Sequence, residues 1–179
     1  MNLPNLLTFL RLGCIPILIL IYYLPLVMRF QLAAVVFVVA AATDFVDGYI
    51  ARRREQITNL GKLLDPVADK LLISTGLLLL VEAGRLWAWL AILIIGREIA
   101  VTGLRAVASS KGIVMQAEGM GKLKMAFQVV GVTLLFLADP AGQRWLWQLG
   151  LVVIAIAAIL ALISGWRYAL RAGRLFSLE

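Results

Sequence analysis

Asp44-Phe-Val-Asp47-Gly48-Tyr-Ile-Ala51-Arg52, followed after eight residues by Gly61-Lys-Leu-Leu-Asp65-Pro-Val-Ala-Asp69, is a polar stretch in an otherwise oily chain. It holds four of the five aspartates in the sequence. A run of Val, Ala and Phe long enough to lie in lipid leads into Asp44 and Asp47, and a second apolar run follows Asp65. An ionisable side chain in such a segment is costly and marks a functional site by default. Working outward, apolar runs near the ~20 residues needed to cross a bilayer as a helix recur along the sequence. Short strands with turn signals are absent, so the reading is an all-α membrane protein.

Composition agrees. Hydrophobic residues make up 63% of 179 residues, and the mean hydropathy is +0.97, more apolar surface than a soluble domain hides. No linker, compositional shift, repeat or low-complexity tract divides the chain, so residues 1–179 form one domain. The net charge of +7 does not indicate nucleic acid. The cations sit at the ends of apolar runs, where they set topology and attract anionic head groups, and no aromatic-basic surface motif accompanies them. Cys14 is the single cysteine and reads as a small buried hydrophobe. The first apolar run carries Arg11, lacks a small-residue cleavage site and is followed by more spans, so no cleavable signal peptide is expected.

Six transmembrane helices are predicted: Leu6–Leu24, Phe30–Ile50, Pro66–Ala83, Leu86–Ala108, Lys122–Ala138 and Trp145–Tyr168. The links Pro25–Arg29, Gly84–Arg85 and Asp139–Arg144 carry one arginine each, against 14 of the 17 basic residues on the other side. By the positive-inside rule both termini and the aspartate stretch face the cytoplasm. Trp87, Trp89, Trp145, Trp147, Tyr22 and Tyr23 then lie at the outer interface as anchors.

On a helix Asp44, Asp47, Gly48 and Ala51 fall at i, i+3, i+4 and i+7, on one face. Gly61, Asp65 and Asp69 fall at i, i+4 and i+8 of the next span, again on one face. Two antiparallel neighbours would turn both faces into one polar cavity open to the cytoplasm. Four carboxylates so close stay ionised only if cations neutralise them. The chain has no histidine, so acid–base or metal chemistry runs on carboxylates and favours hard cations, Mg²⁺ or Mn²⁺. Gly48, Ala51 and Gly61 keep bulk off these faces and admit either a neighbouring helix or a ligand. Asp65 before Pro66 either caps the start of a helix or precedes a kink just inside it.

The pattern Asp-x2-Asp-Gly-x2-Ala-Arg-x8-Gly-x3-Asp-x3-Asp resembles the signature of the CDP-alcohol phosphatidyltransferases, and all eight fixed positions are present. Length and six-span layout resemble that family over nearly the whole chain. The resemblance implies displacement of CMP from a CDP-linked lipid by an alcohol, with two divalent cations serving the attacking and leaving oxygens. It implies Asp44, Asp47 and Asp65 as metal ligands, and Asp69 as the base for the acceptor hydroxyl that also touches a second metal. It also implies that Gly48, Ala51, Arg52 and Gly61 line the CDP-lipid site together with Asp44, whereas Arg53 and Arg54 read as topology charges. The resemblance also implies a homodimer in the bacterial inner membrane.

Three further stretches resemble the branch of the family that uses glycerol 3-phosphate: Asn2-Leu-Pro-Asn5-Leu-Leu-Thr8-Phe-Leu-Arg11, Gly96-Arg97-Glu98-Ile-Ala-Val-Thr102-Gly103-Leu-Arg105, and Gly121-Lys122-Leu-Lys124. Where that branch often has Thr after the second lysine, this chain has Met125. Glu98, Thr102 and Arg105 share a helix face, and Arg97, nearly mid-span, should face a wet cavity or an acid. Arg105, Lys122 and Lys124, with Arg97 next, are the candidates for the acceptor phosphate, arginine as a bidentate donor and lysine as a point charge. Lys122 and Lys124 also read as interface anchors, and Arg97–Glu98 as a structural ion pair. Asn5, Thr8 and Arg11 either approach the nucleotide or start the first helix. Glu82, Arg85 and Asp139 show no chemical role. Serine, inositol phosphate or phosphatidylglycerol are the rival acceptors. A cation transporter is the rival of another class, disfavoured because the carboxylates crowd one end of the bundle rather than its middle.

Overall fold

Glycine, proline and arginine break the apolar runs into six helices in a computed structural model that describes residues 3–54, 59–110, 119–139 and 141–176. They are α1 (Leu3–Tyr23), α2 (Arg29–Arg54), α3 (Asn59–Glu82), α4 (Ala88–Ser110), α5 (Gly119–Leu137) and α6 (Arg144–Phe176). Helix number and order match the sequence reading. The main difference is α3, which begins at Asn59 and carries Pro66 inside it, rather than beginning at Pro66. A proline in a helix loses one backbone bond and crowds the preceding turn, which is tolerable where neighbouring helices hold the segment.

Helix α3 lies centrally and packs on α1, α2, α4 and α5; α2 packs on α5, α5 on α6, and α6 on α4. Phe37 of α2 and Phe136 of α5 meet in the core at 6.1 Å between ring centroids. Leu72, Leu77 and Leu80 of α3, Ile94 of α4 and Ile154 of α6 are buried beside them. The outward faces are apolar as well. Val35, Ile92, Ile99 and Ile159 are exposed, a surface that suits lipid and that soluble monomers rarely carry as a continuous patch. Among the described residues, Arg144–Leu170 of α6 is long and apolar enough by composition to cross a membrane. Thr8–Tyr23, Arg29–Thr43 and Leu123–Leu137 are shorter apolar stretches.

The end of the bundle away from the aspartate stretch is locked by a helix cap. Gly84 takes a positive φ of 69°. The Gly84 amide donates to the Val81 carbonyl at 3.0 Å and the Arg85 amide to the Leu80 carbonyl at 2.9 Å, the paired bonds of a Schellman ending that favours glycine there. The turn aims Arg85 at α5. Its guanidinium donates to the carbonyls of Leu135 and Phe136 at 3.2 and 2.8 Å, which end α5 without helical partners. It also sits 3.5 Å from the centroid of the Phe30 ring. Trp147 donates its indole N–H to the Arg85 carbonyl at 2.9 Å, and Tyr23 donates its hydroxyl to Glu82. Burial pushes the Arg85 pKa down, and Asp139 opposes that shift. Arg85 is therefore a structural tie between the α3–α4 turn and α5. Tyr22 is buried in the core rather than placed as an interfacial anchor, while Tyr23, Trp87, Trp89 and Trp145 are exposed.

The α5–α6 contact depends on missing side chains. A Cβ at Gly131 would lie 2.7 Å from Ile154 Cγ1, and one at Gly150 would lie 2.8 Å from Leu135 Cδ2. Gly131→Val is expected to destabilise the fold by about 2 kcal/mol through overpacking. Gly13→Ala, which meets nothing within 4 Å, should be neutral or up to ~1 kcal/mol stabilising, since alanine is the better helix former. Thermal unfolding in detergent distinguishes the two; equal midpoints would sink the close-approach argument.

Candidate active site

Because α3 starts six residues before Asp65, that residue lies within the helix and is not its N-cap. Asp69, one turn on, is half-buried and lines a cavity of about 430 Å³ between α3, α4, α5 and α6. Pro66, Lys70, Ile73 and Ser74 continue the α3 wall. Helix α4 contributes Arg97, Glu98, Thr102 and Arg105; α5 contributes Lys124, Met125 and Gln128; α6 contributes Ser164 and Tyr168. The four basic residues, Lys70, Arg97, Arg105 and Lys124, outnumber the two acids, Asp69 and Glu98. That balance suits an anionic ligand.

The cations are held in defined places. Arg97 donates from Nε to the Ala161 carbonyl at 2.8 Å, from Nη2 to Ser164 Oγ at 2.6 Å, and from Nη1 to Glu98 Oε1 at 3.1 Å. Its stem passes Gly165, where a Cβ would lie 3.2 Å from Arg97 Cγ. Arg97 thus ties α4 to α6 and offers fewer donors to a ligand than its five N–H groups would allow. Lys124 forms an ion pair with the same Glu98 oxygen, with side-chain exposures of 7% for the lysine and 17% for the glutamate. One carboxylate therefore orients two cations. Arg105 donates to the Tyr168 hydroxyl, and its Cζ lies 4.7 Å from the Tyr168 ring centroid. Thr102 spends its hydroxyl on the Glu98 carbonyl at 2.6 Å.

Four of the sequence-predicted site residues thus meet in one cavity: Asp69, Arg97, Arg105 and Lys124. Asp44, Asp47, Gly48, Ala51 and Arg52 belong to α2, Gly61 and Asp65 to α3, and Lys122 to α5; their side chains lie outside the described residues. Among the described residues no cluster of three potential metal ligands occurs. Thr8 and Arg11 are fully buried in α1. Met125, in place of the branch's frequent threonine, lines the cavity. Sequence reasoning missed Lys70, Ser74, Gln128, Ser164 and Tyr168 as lining residues. Gln128 was detectable in principle, since it follows Lys124 by one helical turn. Ser164 and Tyr168 had no local signal, because only the α4–α6 contact brings them in.

Comparison with known proteins places this geometry in context. The profile of the CDP-alcohol phosphatidyltransferase family matches residues 1–165. The chain is 37% identical over 179 residues to the CDP-diacylglycerol–glycerol-3-phosphate 3-phosphatidyltransferase of Bacillus subtilis (strain 168), covering 93% of each. It is 45% identical over 173 residues to the enzyme of that name from Pseudomonas fluorescens, covering 94% of this chain and 88% of the relative. A Rickettsia typhi protein of the same name is 36% identical over 168 residues, covering 93% of this chain and 94% of the relative. With its signature, its helical bundle and a match over most of its length, the chain belongs to the CDP-alcohol phosphatidyltransferase family.

Proposed function

We propose that the chain transfers the phosphatidyl group of CDP-diacylglycerol to sn-glycerol 3-phosphate, releasing CMP and leaving phosphatidylglycerophosphate, a step toward phosphatidylglycerol and cardiolipin. One observation carries the reading of the site: Asp69 of the signature and the basic residues Arg105 and Lys124 line a single cavity. An acceptor whose own phosphate is not transferred needs such cations. Serine, which lacks a phosphate, does not, and this favours glycerol 3-phosphate. The names of the relatives support the same reaction.

In this reading Arg105 and Lys124, with Lys122 and Arg97 beside them, hold the acceptor phosphate. Its primary hydroxyl is directed at the lipid-bearing phosphorus, and Asp69 takes the hydroxyl proton. The chain has no histidine, so a carboxylate is the available base at that point. The donor set is a set of aspartates, Asp44, Asp47, Asp65 and Asp69, which fits Mg²⁺ or Mn²⁺, two ions in this reading. Bound there, divalent cations would neutralise the donor's pyrophosphate. Gly48, Ala51, Arg52 and Gly61, with Asp44, form the CDP-lipid side.

The protein is read as a multi-pass enzyme of the bacterial cytoplasmic membrane. Six helices span the bilayer, with both termini and the cavity on the cytoplasmic side, and the donor keeps its acyl chains in the bilayer. It works as a homodimer, as the family resemblance implies. The deciding experiment supplies purified protein in lipid with CDP-diacylglycerol, Mg²⁺ and glycerol 3-phosphate, serine or inositol phosphate. CMP release with glycerol 3-phosphate alone is expected. Release with serine instead would replace the acceptor, and a folded, lipid-supplied sample that is inert with all three would overturn the reading.

A further inference from the structure

Gln128 is 3% exposed, lines the cavity, and its Nε2 has no hydrogen-bond partner among the described residues. Three cations of that cavity are bonded to other side chains. Arg97 is bound to Ser164 and Glu98, Lys124 to Glu98, and Arg105 to Tyr168. A buried amide donor left unmade costs free energy, whereas an apolar side chain of similar size would avoid the cost. Folding therefore gives no reason for a glutamine here, and a ligand does.

The chemistry of the amide indicates which part of the ligand it meets. A carboxamide is neutral and offers both donors and an acceptor, which matches a hydroxyl, itself donor and acceptor. A phosphate accepts only and is better served by the cations nearby. Gln128 follows Lys124 at i+4, so it lies on the same face of α5, about 6 Å further along the axis. The primary hydroxyl has to lose a proton, which an amide cannot take. The secondary hydroxyl does not react and needs only to be held.

We infer that Gln128 is a specificity-determining residue of the acceptor site, binding the secondary hydroxyl of glycerol 3-phosphate and so orienting the primary one. The inference rests on the acceptor reading above. It is tested with 3-hydroxypropyl phosphate, which keeps the phosphate and primary hydroxyl but lacks the secondary one. The full-length enzyme in lipid, wild-type and Gln128→Leu, is assayed for CMP release with each acceptor.

The wild type is expected to prefer glycerol 3-phosphate by about 10- to 100-fold in kcat/KM, the usual effect of leaving one buried hydrogen-bonding group without its partner. In Gln128→Leu that preference should shrink to within about threefold, because the lost bond affects only the acceptor that has the hydroxyl. The KM for CDP-diacylglycerol should not move, and the thermal midpoint should not fall. Gln128→Met provides the same comparison if the leucine variant fails to fold. An unchanged preference, or an equal loss with both acceptors, overturns the role of Gln128 while leaving the acceptor reading intact. A wild-type enzyme that turns over neither acceptor overturns that reading and this inference with it.

Discussion

Asp69→Asn is expected to reduce CMP release by about 10²- to 10⁴-fold, the usual contribution of a positioned general base. The substitution keeps shape and an oxygen but removes the basic electron pair. No histidine exists to take over, and the other acid in the described cavity wall, Glu98, is committed to Arg97 and Lys124. Binding of CDP should survive, since the proposed nucleotide side of the site is the α2 part of the signature. Turnover near wild type would remove Asp69 as the base. An amide oxygen remains a possible ligand for a hard cation, so recovery at raised Mg²⁺ would instead make Asp69 chiefly a metal ligand.

How far this site was legible in the sequence depends on the range of the signal. The eight-position signature and the basic clusters are local, and their fixed spacing on helices places them before any contact is known. The count of six helices follows in the same way from apolar runs broken at Pro25, at the arginine run 52–54, at Gly84, at Lys111-Gly112 and at Asp139. The start of α3 did not, because Pro66 reads as a beginning and only packing against neighbouring helices holds a helix that passes through it. Arg85 read as a bare charge, since the carbonyls it satisfies lie 50 and 51 residues away. Arg97 shows the same limit. Its sequence position allowed either an ion pair or a phosphate contact; the side chain makes the ion pair with Glu98 at 3.1 Å and also reaches Ala161 and Ser164 of α6. Local spacing names the chemistry, while the division of labour among the cations is set by tertiary contacts.

That division makes Lys124→Met the second large effect. The KM for glycerol 3-phosphate should rise by about 100-fold or more, since a charge-assisted bond to phosphate is lost from a shielded site. Two terms act together. The phosphate loses a cation, and Glu98 loses one of its two, so its negative charge turns toward the incoming dianion. The fold should tolerate the change better than the ~3–5 kcal/mol typical of breaking a buried pair, because Arg97 still donates to Glu98 at 3.1 Å. Adding Glu98→Gln separates the terms as a double-mutant cycle does. If Lys124 contacts phosphate, the double variant recovers only the repulsive part, about tenfold at the dielectric of a partly wet cavity. If Lys124 serves only to neutralise Glu98, the double variant returns close to wild type, and the acceptor phosphate must then rest on Arg105 and Lys122.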